Sequence, residues 1–231
     1  MPARDTSSRP TSRPTRPALS RERVLRAAVA LADAHGIDAV TMRRLAEAVD
    51  VKPMSLYHHL ANKDEVVDGM VDAVFAEIEL PPAELGWEEA ARLRARSARR
   101  VLSAHPWAVP LLESRRSPGP ATLRHHDAVI GAYRRDGFDV AMAARAVSVV
   151  DAYVYGFVLT EAALPFDATD GEQVSKDVEE IMAPMDGDAH PHLAELVTAH
   201  VLQPGYSFAA EFEWGLDLIL DGLRRRVPPG S

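Results

Sequence analysis

Cysteine is absent from the 231 residues, which excludes disulfide staples, thiolate nucleophiles and cysteine-held metal ions. A glycine-rich phosphate loop, a His-Glu-x-x-His ligand pair and a Gly-x-Ser-x-Gly nucleophile elbow are missing as well. Asp151 and Glu161 sit in the most apolar segment. Three turns of helix would hold them about 15 Å apart, too far to act as a carboxylate pair. An enzyme is therefore not expected, and no cofactor or metal is implied. The longest apolar region, Ala146 to Ala163, is broken by those same two acids, which argues against a membrane span. The first residues lack the apolar stretch of a secretory signal. A cytoplasmic protein with no membrane partner is the expectation.

What is present looks like an ordinary globular chain, 47% hydrophobic and 26% charged. The net charge of −8 is unevenly spread. From Met1 to Lys63 there are 11 basic residues against 6 acidic ones, and beyond Lys63 there are 15 against 28. A basic head on an acidic body suggests that the head meets a polyanion.

Residues 1–17 are rich in Arg, Pro, Ser and Thr, and read as a disordered basic arm. Such an arm either tracks phosphates and the minor groove or is an inert leader. From Ser20 the pattern turns helical. Ser20 can cap a first helix whose face is Leu25, Ala28, Val29 and Ala32, ended by Gly36. Thr41 caps a short second helix, Pro53 suits the first turn of a third, and a fourth follows Asn62 until Pro81-Pro82. Further helices are expected over Trp87 to Ala104, Trp107 to Glu113, Thr122 to Arg135, Val140 to Leu164, His192 to Val201 and Tyr206 to Arg226. Between Pro165 and His190, eight acidic residues face Lys176 alone, as in a mobile loop with one short helix. No strand alternation is convincing. The fold class is all-α: a three-helix head over 18–63, joined to a helical body over 64–231.

Two short helices joined by a tight turn and braced by a third offer one helix to the DNA major groove. Thr41 to Leu60 has that form. Leu45, Ala46, Val49, Val51, Leu56 and Leu60 can bury against the first helix. Arg43, Lys52, Ser55, Tyr57, His58, His59 and Lys63 are then left facing outward, as donors for phosphate oxygens and base edges. Protonating His58 and His59 would add charge facing phosphate, so operator affinity should rise as pH falls.

The segment GIDAVTMRRLAEAVDVKPMSLYHHLANKDEVVDGM resembles the N-terminal domain of TetR-type repressors. The likeness is dense over about 45 residues and continues more loosely through Trp87, the Gly137-Phe138 turn, Gly156 and the final FEWGLDLILDGL helix, close to the tetracycline-repressor branch. It implies a homodimer on double-stranded, palindromic operator DNA, released by a small-molecule effector. Thr41 and Arg43 would contact phosphate or an operator edge. Pro53, Met54, Ser55, Tyr57 and His58 would form the recognition surface, with His59 and Lys63 on the backbone. Met54 and His58 stand where that branch has Pro and Trp, so its operator sequence does not transfer. The branch's drug-binding positions correspond to Glu79, Arg94, Ala98, Leu112 and Thr160, and Leu112 cannot ligate a metal.

A pocket for a hydrophobic or amphiphilic effector is expected among Leu102, Leu111, Leu112, Val150, Val154 and Phe157, with Arg94, Asp151 and Glu161 as polar anchors. The same side chains could instead simply close a core. The segment Val140 to Leu164 is apolar nearly all round, as a helix buried on two sides would be. With the last helix it would form a four-helix dimer interface, although a monomer core would also account for it. His125, His126, His190 and His192 are expected to be solvated or capping. Arg92, Arg96, Arg99 and Arg100 read as a solvated stripe partly paired with Glu88 and Glu89.

Overall fold

A computed structural model describes residues 18–165, 171–184 and 186–226, and among these every regular element is helical. The basic arm expected over residues 1–17 lies outside the described residues. Helix α1 (Arg21–His35) starts where the Ser20 hydroxyl accepts the Arg23 N–H at 3.2 Å. It stops at Gly36, whose φ of 78° is a region that side chains disfavour. Helices α2 (Met42–Ala48) and α3 (Pro53–Leu56) follow. At the start of α4 (Lys63–Glu77), Asn62 accepts from the Glu65 N–H at 2.8 Å, and the Glu65 carboxylate accepts from the Ala61 N–H at 2.7 Å. This reciprocal cap fixes the exit from the head.

The body comprises α5 (Trp87–Ala104), α6 (Pro120–Arg135), α7 (Val140–Ala163), α8 (Gly171–Met182), α9 (Pro191–Leu196) and α10 (Phe208–Arg224). The helix expected over Trp107 to Glu113 is a tighter 3-10 segment, Pro106–Leu111, because Pro106 and Pro110 supply no N–H. Helix α6 begins at Pro120 rather than Thr122. Its first turn is held from outside, with Asp72 of α4 accepting from the Thr122 N–H at 2.8 Å and its hydroxyl at 3.0 Å. The acidic segment holds the 12-residue α8, while 166–170 and 185 lie outside the described residues.

One continuous core joins the head to the body, from Val24 and Leu45 through Met70 to Val154 and Leu216. Helix α4 packs on α1 at one side and on α6 at the other, and α5 packs along α7. Trp87, Tyr133 and Phe138 form an aromatic knot, and Asp136 accepts from the Trp87 N–H at 2.6 Å. Helix α10 closes on α7 at Gly215, where an added Cβ would fall 2.3 Å from the Tyr153 hydroxyl. That hydroxyl donates to the Phe212 carbonyl at 2.9 Å. Helix α8 and the π-helical turn Val197–Val201 that follows α9 build a separate small cluster around Val178 and Val197.

Two expectations need correction. His125 is not solvated but 1% exposed, because α6 turns it inward against Phe75. Of the stripe Arg92, Arg96, Arg99 and Arg100 on α5, three are paired well beyond Glu88 and Glu89. Arg92 reaches Asp217, and Arg96 holds Glu213 at 2.8 Å through both nitrogens. Arg99 grips Glu161 while lying 4.7 Å over the Phe157 and Phe212 rings. Helix α10 supplies Glu213 and Asp217, and a sequence reading had no means of bringing them beside α5.

Candidate nucleic-acid interface and ligand-binding body

In the head, buried anchors and outward side chains alternate along α2, α3 and the turns around them. Thr41 caps α2 by accepting the Arg44 N–H at 3.2 Å. The turn from α2 to α3 passes through Asp50 at a φ of 55°, and the Val51 N–H returns to the Ala46 carbonyl at 2.9 Å. Arg23 of α1 braces this turn by donating to the Val49 carbonyl at 3.0 Å. Pro53 occupies the first turn of α3, which is only four residues long, and Leu56 and Leu60 are buried beneath it.

With those anchors fixed, Lys52, Pro53, Met54, Tyr57, His58 and Lys63 are exposed, and Ser55 and His59 are half-buried. Met54 is 73% exposed. Tyr57, His58 and His59 lie past the end of α3, in the turn whose N–H groups still bond back to the Leu56 carbonyl. Arg43 is exposed on α2 and reaches Glu47 at 3.6 Å, a weak surface pair that a phosphate could displace. These outward side chains supply hydrogen-bond donors together with the apolar Pro53 and Met54.

In the body, Arg94 of α5 and Asp151 of α7 form a buried ion pair. Arg94 Nε also donates to His125 Nε2 at 3.2 Å, which places the His125 proton on Nδ1. That nitrogen is buried without a hydrogen-bond partner. Burial, then the Arg94 charge and His126, push the His125 pKa down to about 3. Burial also works against the Arg94 charge, but Asp151 outweighs it and raises its proton affinity. Tyr133 is pushed up to about 12, chiefly by burial.

The other residues expected in a pocket are not gathered in one place. Ala98, Leu102, Leu112, Val150 and Val154 are buried core residues, and Leu111 is half-buried beside them. Phe157 faces α10, stacked 5.0 Å from Phe208. Glu161 is ion-paired with Arg99 rather than placed beside Asp151. Glu79 donates its N–H to Ser97 at 2.9 Å and borders a different recess with Arg92 and Arg100. Arg94 and Asp151 are brought together. Asp151 also lines a cavity of about 470 Å³ between α6 and α7, together with Glu113, His126 and Tyr155. The last three were missed because they come from separate elements and form no spacing pattern along the chain.

Helix α7 is long and apolar enough to cross a membrane, yet only a third of its most apolar stretch is buried. Val149 and Leu159 are exposed on it, as is Gly156. Beside them α10 exposes Trp214 and Leu218, at 65% and 55%. This uncovered face is what a four-helix contact between two copies would use.

The head and the helical body together are those of a one-component transcription regulator. Residues 24–70 match the family described as bacterial regulatory proteins, tetR family, and residues 80–227 match the tetracyclin repressor-like C-terminal domain. The chain belongs to the TetR family of transcriptional regulators, in its tetracycline-repressor-like branch. It is 32% identical to the HTH-type transcriptional repressor DrrR1 of Streptomyces coeruleorubidus over 95% of this chain and 82% of that one. It is also 32% identical to the class A tetracycline repressor protein from transposon 1721 of Escherichia coli, over 88% and 89%. Among solved structures, the Streptomyces coelicolor TetR family protein ActR in complex with actinorhodin superposes with a TM-score of 0.74 at 26% identity, covering 92% of this chain and 99% of that one.

Proposed function

We propose that this protein is a cytoplasmic repressor that binds a palindromic operator as a homodimer and leaves it when a small molecule occupies the body. The observation that carries the reading is the outward face of α2, α3 and the turn after them. Leu56 and Leu60 lock the segment from below, and Arg43, Lys52, Tyr57, His58 and Lys63 are exposed above it. Residues 18–63 form the DNA-binding head in this reading, with Thr41, Pro53, Met54, Ser55 and His59 completing its surface. Residues 64–231 hold the effector and the dimer contact. Two heads carried by a symmetric dimer would meet half-sites about one DNA turn apart.

Helix α4 supports an indirect route for release. It packs on α1 in the head and on α6 in the body, so a ligand that shifts α6 changes the footing of the head. Such coupling is typically about 1–3 kcal/mol. The repressor DrrR1 and the ActR–actinorhodin complex support repression and small-molecule sensing as the form of regulation. Selection of bound DNA from a random pool tests the reading: a palindromic consensus is expected, and Ala at Ser55 or Tyr57 should weaken that consensus more than random DNA. Equal losses on both would mean that α3 is not the reading element.

A further inference from the structure

The cavity between α6 and α7 has a defined chemistry on its polar side. Asp151 lines it and is only 8% exposed, so its carboxylate is held in place by the fold. Glu113 stands at the rim and has no ion-pair partner among the described residues. His126 donates Nδ1–H to the Thr122 carbonyl at 2.9 Å, which leaves Nε2 as an acceptor. The nearby cation, Arg94, is 3% exposed, and its donors are already directed to Asp151, His125 and Tyr155. Ser148 and Tyr155 add hydroxyls that donate or accept, and Glu113 is the carboxylate whose charge is uncompensated, since Asp151 is paired with Arg94. Ile130, Val147 and the Tyr155 ring supply the apolar part of the lining.

We propose that this cavity takes a cationic amphiphile, a protonated amine carried on an aromatic or aliphatic body. Glu113 supplies the uncompensated negative charge and receives the N–H donors, with Asp151 as a second acceptor. The apolar part lies against Ile130 and Val147. An anionic ligand would meet the unpaired Glu113 carboxylate, while the Arg94 guanidinium is already committed to Asp151. A neutral ligand would leave Glu113 without compensation and gain only the apolar contacts. The volume of about 470 Å³ is that of a site for a drug-sized molecule. The inference rests on the proposed effector-binding role of the body and assigns the chemical class of its ligand.

Titration calorimetry on the full chain with naphthylethylamine, naphthylethanol and naphthylacetate tests the assignment, because the three share one apolar body. The amine should bind about tenfold more tightly than the alcohol, and the acetate most weakly. Glu113→Gln, at an exposed position that leaves the core intact, should cost the amine about tenfold and leave the alcohol unchanged. Acetate binding as tightly as the amine would overturn the proposal. So would equal losses of amine and alcohol in the variant, or no amine binding to the unaltered protein. Retention of the ligand-free protein on its selected DNA is measured separately. DNA binding without amine selectivity rejects only the ligand class, whereas no DNA binding rejects the regulator reading itself.

Discussion

The indole N–H of Trp107 donates to Asp33 Oδ1 at 2.6 Å, and His105 Nδ1 faces the same oxygen at 2.7 Å. Asp33 belongs to α1 in the head, whereas Trp107 and His105 stand at the junction between α5 and α6. His105 Nε2 in turn lies 3.3 Å from Glu77, at the end of α4. One buried imidazole thus ties the DNA-binding head to the far end of the connecting helix.

This junction should make stability depend on pH. Burial works against the His105 charge, but the hydrogen bonds and charges of Asp33 and Glu77 outweigh it, so its pKa is raised. A raised folded-state value means the contribution is fully present below the ordinary histidine range, about 6.5, and is lost as pH rises through the folded value. His105→Gln should cost about 1 kcal/mol at pH 6, an allowance already reduced for the half-exposed Glu77. Melting curves of both proteins from pH 6 to 9 check it: the gap should narrow on going alkaline, and a constant gap would sink the idea.

Operator binding should weaken steeply with salt. Arg43, Lys52 and Lys63 are exposed in each copy, and doubled in a dimer they would neutralise about six phosphates. Counterion release then gives a slope near −5 in log K against log salt. Replacing Lys52 by Ala should flatten that slope by about two units per dimer while leaving the consensus unchanged. An unaltered slope would remove Lys52 from the phosphate contacts.

Much of the head was legible along the chain because its determinants are local. Ser20, Thr41 and Asn62 each accept the N–H three residues on, and such caps are written in consecutive residues. The hydrophobic spacing that marks Leu45, Leu56 and Leu60 as anchors is local too. The body was less legible because its polar chemistry is assembled from distant elements. His125 looks like any helix-surface histidine until α5 brings Arg94 against it. Glu161 looks like a polar anchor of an effector pocket until Arg99 takes it instead. Proline at 106 and 110 did signal a break, yet not that the segment would tighten into a 3-10 turn. Because α7 is apolar nearly all round, its sequence does not show which side meets which neighbour.

Tetracycline with magnesium should not release the operator, although the chain resembles a tetracycline repressor over most of its length. The positions that the family resemblance equates with drug and metal contacts include Arg94, Ala98 and Leu112. Ala98 and Leu112 are buried in the core, and Leu112 has no lone pair to offer a metal. Arg94 is committed to Asp151. Titrating the protein–operator complex with the drug and magnesium reads this directly, and release at micromolar drug would refute it.

The exposed face of α7 and α10 should hold the dimer together. Trp214 and Leu218 project from α10 with most of their surface uncovered, next to Val149 and Leu159 of α7. Burying a leucine contributes about 1.5–3 kcal/mol, and symmetry counts each substitution twice. Placing a charge there adds the cost of desolvating it. Leu218→Glu should therefore raise the dimer dissociation constant by roughly 100-fold or more. Leu80→Glu, which changes an exposed leucine beyond the end of α4 and on neither α7 nor α10, should leave the constant unchanged. Sedimentation equilibrium distinguishes the two variants. Monomeric Leu218→Glu that keeps its helical signal would also show weaker operator binding, because a single head neutralises half as many phosphates. If Leu218→Glu stays dimeric at micromolar concentration, the contact between copies must use another surface.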